Sequence, residues 1–326
     1  MRMAVNSNAP IIEVRDLAKT FVRRRKVGRW RRERTEVPAV VDVSMSIAPG
    51  ELVGYLGPNG AGKSTTIKMM TGILVPSGGT VRVDGLVPMS DRKALARRIG
   101  VVFGQRSNLW WDLPLSDSFD LLRHLYRVEA SRARANREWL TELFDLGALL
   151  PVPVRQLSLG QRMRGELAAA LLHDPSIVFL DEPTIGLDVV SKHAVREALS
   201  TLQRERGTTI LLTTHDLGDV ERLCSRVIII DHGRAIYDGS LDELVRSQQP
   251  ARTLVVDLDR VVPPLDVDGL RTVRVDGPRQ WLSFDPAGMT AAEAIARVSA
   301  HAPVRDLTIE EPEVEEIIRR IYSSDA

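Results

Sequence analysis

One cysteine, Cys224, stands in 326 residues. No disulfide can form within the chain, which suits a reducing compartment. An excess of one charge is also missing. The 44 basic and 43 acidic residues leave a net charge of +1, so no overall field draws the chain to nucleic acid. Long apolar runs are absent: "LAAALLHDPSIVFL" and "RVIIIDHG" are short and cut by charge or proline, which argues against a bilayer span. The opening "MRMAVNSNAP" has no apolar signal region. Internal repeats and long heptad runs are missing too. The expectation is a chain that reaches a membrane only through a partner.

What is present reads as globular. Hydrophobic residues make up 44% and charged residues 27%, and the length suits two domains, with room for a third. "ELVGYLG" (51–57), "SIVFLD" (176–181), "TTILLTTH" (208–215) and "RVIIIDHG" (226–233) are apolar without alternation. Strands covered on both faces have that pattern. Helical stretches separate them, such as "SKHAVREALSTLQRERG", closed by Gly207. Strands alternating with helices predict a mainly parallel sheet. Between about 108 and 164 the apolar spacing is helical, in "DSFDLLRHLYRV" and "NREWLTELFDLGALL", so a helical insert is expected there.

A second unit is expected over 250–326, after "SQQPAR". "TLVVDL", "TVRV" and "WLSF" read as strands, Thr290 and Glu293 have capping-box spacing, and "EVEEIIRRIYS" reads as a last helix. The sum is a small α+β domain of ferredoxin-like character. One segment, Val22–Glu36, holds eight Lys or Arg residues and two acids. It interrupts a region expected to form strand. It reads either as a solvated hairpin or as a contact for anionic headgroups or a partner.

Chemistry concentrates in two motifs. "GPNGAGKS" fills the G-x-x-x-x-G-K-[ST] pattern with Gly57, Pro58, Asn59, Gly60, Ala61, Gly62, Lys63 and Ser64, followed by Thr65. It lies between an expected strand and an expected helix, as a phosphate-binding loop requires. Its glycines let backbone amides turn toward phosphate oxygens at a helix start. Lys63 brings a full charge, and Ser64 a hydroxyl for Mg²⁺. "IVFLDEP" then carries a strand up to Asp181, suited to hold Mg²⁺ through water, and Glu182, suited to take a proton from attacking water.

"LSLGQ" (157–161) precedes "IVFLDEP", and the order of the three motifs resembles the ABC ATPase family over roughly 11–245. The resemblance implies a P-loop NTPase core: a mainly parallel sheet with an antiparallel β subdomain and a helical insert. It implies ATP and Mg²⁺ as ligands, and two subunits that meet head to tail. Ser158, Gly160 and Gln161, in the signature position, would then serve ATP bound by the second subunit. Leu159 stands where the family's signature has its first glycine. Gln105 in "VVFGQRSN" resembles the glutamine that reaches Mg²⁺ and the attacking water. Asp188 in "IGLD" resembles the residue that crosses the dimer interface. His215 in "LLTTHD" resembles the switch histidine of the γ-phosphate. For the aromatic that the family stacks on adenine, Arg34 stands where one is expected. Trp30 and Phe21 are nearby, and no residue is assigned.

The implied role is the ATP-hydrolysing subunit of an export-branch transporter, of the drug and polysaccharide type. It would sit peripherally on the cytoplasmic face of the cell membrane and be paired with a separate permease. The second ATPase subunit would make a homo- or heterodimer. Trp110 and Trp111 would either line the permease groove or pack inside the insert. The alternative is a non-transport ABC ATPase acting on nucleic acid or the ribosome. One cassette, no long heptads and one cysteine argue against it, so no nucleic-acid partner is expected. A third reading is a regulatory ATPase whose last domain senses a ligand.

Overall fold

The structure is a computed structural model. It describes residues 9–27, 31–104, 106–247 and 251–310, with 317, 318, 321 and 322. The expected last helix lies mostly outside them, as do Gln105 and Trp30. Contacts divide the chain into two units, 1–239 and 240–326. No helix of the described residues is long and apolar enough to cross a membrane.

The first unit runs β1 (Ile12–Val27), β2 (Arg31–Ile47), β3 (Leu52–Leu56), α1 (Lys63–Met70), β4 (Gly78–Val83), α2 (Arg92–Leu95), β5 (Ile99–Phe103), α3 (Leu115–Tyr126), α4 (Ala130–Leu143), α5 (Leu159–Leu171), β6 (Ile177–Asp181), α6 (Val189–Arg206), β7 (Thr209–Thr213), α7 (Leu217–Leu223), β8 (Arg226–Asp231) and β9 (Arg234–Ser240). Nine strands form one sheet in the order β4-β1-β2-β9-β8-β3-β7-β6-β5. The run β8-β3-β7-β6-β5 is parallel throughout. Every residue of β3 and β7 is buried, which explains their unbroken apolar sequences. The β4-β1-β2 side is antiparallel. Ile12, Leu17, Val43, Val53, Tyr55, Ile67 and Met70 belong to one buried core that joins the two regions.

Helix α5 lies tightly on this sheet. A Cβ on Gly100 of β5 would sit 2.5 Å from the Ala170 carbonyl oxygen. Glycine on the strand and alanines on the helix permit that approach, and through it the core fixes where α5 begins.

The basic segment does not interrupt the strands. β1 and β2 stay paired from Thr20↔Pro38 out to Val27↔Arg31, past Ala18↔Gly78, the last pair between β1 and β4. In this ribbon Arg24 stands opposite Arg34, and Lys26 opposite Arg32. The antiparallel pairing agrees with the hairpin reading of this segment, while the expected interruption of the strands is not found among the described residues.

In the second unit, α8 (Leu241–Ser247) precedes β10 (Arg252–Leu258), β11 (Arg271–Asp276), β12 (Arg279–Phe284), α9 (Ala291–His301) and β13 (Val304–Glu310). The sheet order is β11-β12-β10-β13, all antiparallel. A ferredoxin-like unit has this order, but residues 259–270 here replace its first helix with an irregular connection. Leu254, Val256, Leu282 and Phe284 pack with Ala294 and Val298 of α9. Thr290 and Glu293 form the expected capping box.

Candidate active site

The phosphate loop is built by close approach. β3 ends at Leu56, and Gly57 follows against β8: a Cβ there would lie 2.4 Å from the Ile230 carbonyl oxygen. Gly62 caps α1 at φ 110°, and a Cβ on it would meet the Ala39 carbonyl oxygen at 2.5 Å. No other residue type fits that combination. Lys63 opens α1 and donates from Nζ to the carbonyls of Gly57 (2.5 Å) and Pro58 (3.1 Å). Burial lowers its pKa, while Glu182 and Asp181 pull the other way. Pro58, Asn59 and Gly60 are exposed along the loop, and Thr65 is half-buried behind it.

Three strand ends converge on this loop. Ser64 Oγ donates to Asp181 Oδ1 at 3.1 Å, and Thr213 Oγ1 donates to the same oxygen at 2.6 Å. Glu182, one residue beyond β6, has φ 55°. This left-handed conformation is costly for a side-chain-bearing residue and concentrates at functional sites. Its amide is tied to the Thr213 carbonyl at 2.9 Å. The carboxylate lies 3.4 Å from His215 Nδ1. A cavity of about 470 Å³ opens here, lined by Asn59, Ser64, Phe103, Asp181, Glu182 and Ile185 among others. Its size is that of a small-ligand site. The hydroxyl–carboxylate pair at its floor is the hard-oxygen chemistry that Mg²⁺ takes, with most remaining positions left to water and phosphate. The residues present fit both ATP and the metal.

Ser158, Gly160, Gln161 and Asp188 form a separate cluster. Ser158 caps α5, accepting from the Gln161 amide at 3.2 Å, while Gln161 Oε1 accepts from the Ser158 amide at 2.9 Å. Asp188 caps α6 through the Ser191 amide and hydroxyl, at 2.9 and 2.7 Å. These bonds hold its carboxyl below the usual range. The two helix starts touch: a Cβ on Gly160 would lie 2.2 Å from Ser191 Oγ. Leu159, at the signature position usually held by glycine, reaches over Gly186.

Sequence reasoning missed several contributors. Thr213 reads as an ordinary strand residue until its hydroxyl is found on Asp181. Glu166 on α5 is buried and accepts from the Ser107 hydroxyl and, at 2.8 Å, from the Asn108 amide. Burial pushes its pKa up against those bonds. It thereby holds the segment that follows position 105. Both tryptophans are at the surface, and Trp111 lies under the Arg162 guanidinium, 5.4 Å from the ring centre. A groove of about 200 Å³ runs between Phe103, Gly104, Ser107, Trp111 and Glu166.

Phe21 is a further candidate. It pairs with Val37 at the base of the ribbon and is 40% exposed. Two pairs along, past Thr20↔Pro38 and a register shift, Lys19↔Val40 borders Gly62, since a Cβ on that glycine would lie 3.2 Å from Val40 Cγ2. Arg34, farther along the ribbon, is paired with Glu36 at 2.9 Å.

The ABC transporter family profile matches residues 40–185. The ABC transporter ATP-binding protein NatA of Bacillus subtilis is 36% identical over 239 residues, covering 73% of this chain and 93% of that protein. Daunorubicin resistance ATP-binding protein DrrA3 of Streptomyces coeruleorubidus is 34% identical, covering 88% of this chain and 92% of its own. Nod factor export ATP-binding protein I of Paraburkholderia xenovorans is 42% identical over 64% of this chain and 68% of its own. Among solved structures, a dimeric ATP-binding cassette in a post-hydrolysis state with ADP and Pi superimposes with a TM-score of 0.60 at 26% identity. It covers 70% of this chain and 98% of that one.

Proposed function

This chain belongs to the ATP-binding proteins of ABC transporters, and we propose that it hydrolyses ATP to power export through a separate membrane permease. One observation carries the chemical part. Ser64 and Asp181 meet at 3.1 Å beside the phosphate loop, with Glu182 and His215 facing each other at 3.4 Å. ATP enters with its phosphates along Gly57–Thr65. Lys63 offsets the charge of the outer phosphates. Ser64 and Asp181 would hold Mg²⁺, which would supply positive charge to offset that of the phosphates. Glu182 orients the attacking water and takes its proton. His215 donates to the γ-phosphate and keeps Glu182 in place. Gln105 is assigned to the same water by resemblance. Phe21, at the ribbon base, stacks on the adenine.

Ser158, Gly160, Gln161 and Asp188 act on the ATP of a second subunit in a head-to-tail dimer. ATP joins the two halves, and its hydrolysis releases them. The groove at Trp111 takes a cytoplasmic segment of the permease, which keeps the chain peripheral on the cytoplasmic face of the membrane. Two relatives named for export and drug resistance support the direction.

Glu182→Gln tests this. Loss of a general base lowers turnover by about 10² to 10⁴, so phosphate release should fall at least a hundredfold. ATP should still bind, and size-exclusion chromatography should find an ATP-dependent dimer. Wild-type turnover in that variant removes Glu182 from its role.

A further inference from the structure

Asp219 is the one carboxylate of the described residues that is wholly buried, at 0% exposure. It projects from α7, four residues after His215, and its contacts reach residues beside both reacting groups. Oδ2 accepts from Thr184 Oγ1 at 2.5 Å and from Thr214 Oγ1 at 3.2 Å. Thr184 is two residues after Glu182, and Thr214 immediately precedes His215. A single oxygen therefore pins the loops that carry the base and the switch histidine. Oδ1 accepts from Arg196 Nε at 2.5 Å. Arg196, on α6, also reaches Asp216 at 3.5 Å, and Lys192 donates to Asp216. The Thr214 hydroxyl in turn accepts from the Asp216 amide at 2.9 Å. Residues on both sides of His215 are thus fixed.

The ring of His215 has no such support of its own. Its side chain is 58% exposed and its recorded polar contact is Glu182. An exposed ring with little packing takes its position from its backbone, and here that backbone answers to Asp219. Opposite, α6 starts at Asp188 and Val189, the cluster proposed to face a second subunit. One rigid helix therefore runs from that surface to the clamp.

We propose that Asp219 is a positioning residue of the ATPase, locking Glu182 and His215 in register through the hydroxyls of Thr184 and Thr214. It rests on the ATP-hydrolysis reading above. A charged group accepting three bonds in a buried setting holds geometry better than neutral contacts do. Helix α6 anchors it through Arg196.

The test compares wild type, Thr184→Val with Thr214→Val, and Thr184→Ser with Thr214→Ser. The valine pair cuts both links to the reacting loops and leaves the Arg196–Asp219 ion pair that braces α7. Expected are an unchanged melting temperature within a few degrees, unchanged KM for ATP, and a kcat at least tenfold lower. The serine pair, which restores both hydroxyls, should recover kcat to within about twofold. A purely structural role for Asp219 predicts that kcat tracks the folded fraction. A valine pair that turns over ATP as wild type does, or a serine pair that stays as slow as the valine pair, overturns the proposal. A wild-type chain without ATP turnover refutes the ATPase reading and this proposal together. Active wild type with an active valine pair refutes this proposal alone.

Discussion

His173 gives a stability that depends on pH in a calculable way. It follows α5 and is buried, with its ring stacked on Tyr126 of α3 at 4.0 Å and 4°. Nε2 lies 3.0 Å from the Ile99 carbonyl of β5, so the neutral ring donates there. Nδ1 finds no partner among the described residues. Burial lowers the pKa to about 4, against the help that Ile99 and Asp174 give the charged form. The unfolded value is about 6.5. The neutral form is therefore favoured by folding. Its contribution is whole above pH 6.5 and is lost as pH falls toward 4. At pH 4.5 the loss comes to about 2–3 kcal/mol. His173→Phe keeps a ring against Tyr126 and removes the titration. Urea unfolding of both proteins at pH 7.5 and 4.5 yields a double difference in which shared titrations cancel. Wild type should lose about 2–3 kcal/mol more than the variant over that range. Equal losses refute the claim that this ring is held neutral at the junction between the insert and the sheet.

Two further substitutions probe other parts of the chain. Phe21→Ala should weaken ATP binding by roughly 5- to 150-fold, since base stacking on an aromatic contributes about 1–3 kcal/mol. An unchanged Kd by fluorescence titration sends the adenine elsewhere. Gln280 is fully buried; its amide donates to the carbonyls of Val262 and Pro263 and accepts from the Leu265 amide. Gln280→Leu strands those three backbone groups, costing the second unit about 2–5 kcal/mol. Calorimetry that finds its transition unmoved would show that the 259–270 connection is held by other contacts.

The parallel strands and the phosphate loop were readable because their signals are local. A strand covered on both faces needs an unbroken apolar run, and "GPNGAGKS" needs its glycines at fixed spacing. The clamp was invisible for the opposite reason. Asp219, Thr184 and Thr214 are common residue types whose roles arise only when β6, β7 and α7 come together. Phe21 was passed over because the basic segment displaced the expected register. Only the pair Phe21↔Val37, two pairs from Lys19↔Val40 at Gly62, brings it toward the loop. The irregular connection in place of the ferredoxin-like first helix was also unreadable. Gln280 supplies its polar partners from a strand that looks ordinary in sequence.

The proposed head-to-tail dimer accounts for the two separate clusters of site residues. Within the subunit, Ser64 bonds Asp181 and Glu182 faces His215, while Gly160 lies instead against Ser191 and Asp188, beside the Ser158 cap of α5. Between them runs the 182–188 segment, where Ile185 borders the cavity. Around the second cluster Val189 and Val190 are 84% and 78% exposed, and Leu159 is also at the surface. Apolar side chains at such a surface gain from being covered. A bound nucleotide on this chain's loop would likewise present its γ-phosphate to solvent. The proposed head-to-tail dimer answers both at once. It buries the valines and Leu159, and it brings the α5 start of one subunit to the phosphate held by the other. Water excluded from that junction would strengthen every charge interaction within it, so in the proposed dimer the second subunit would contribute to the reaction as well as to the fit.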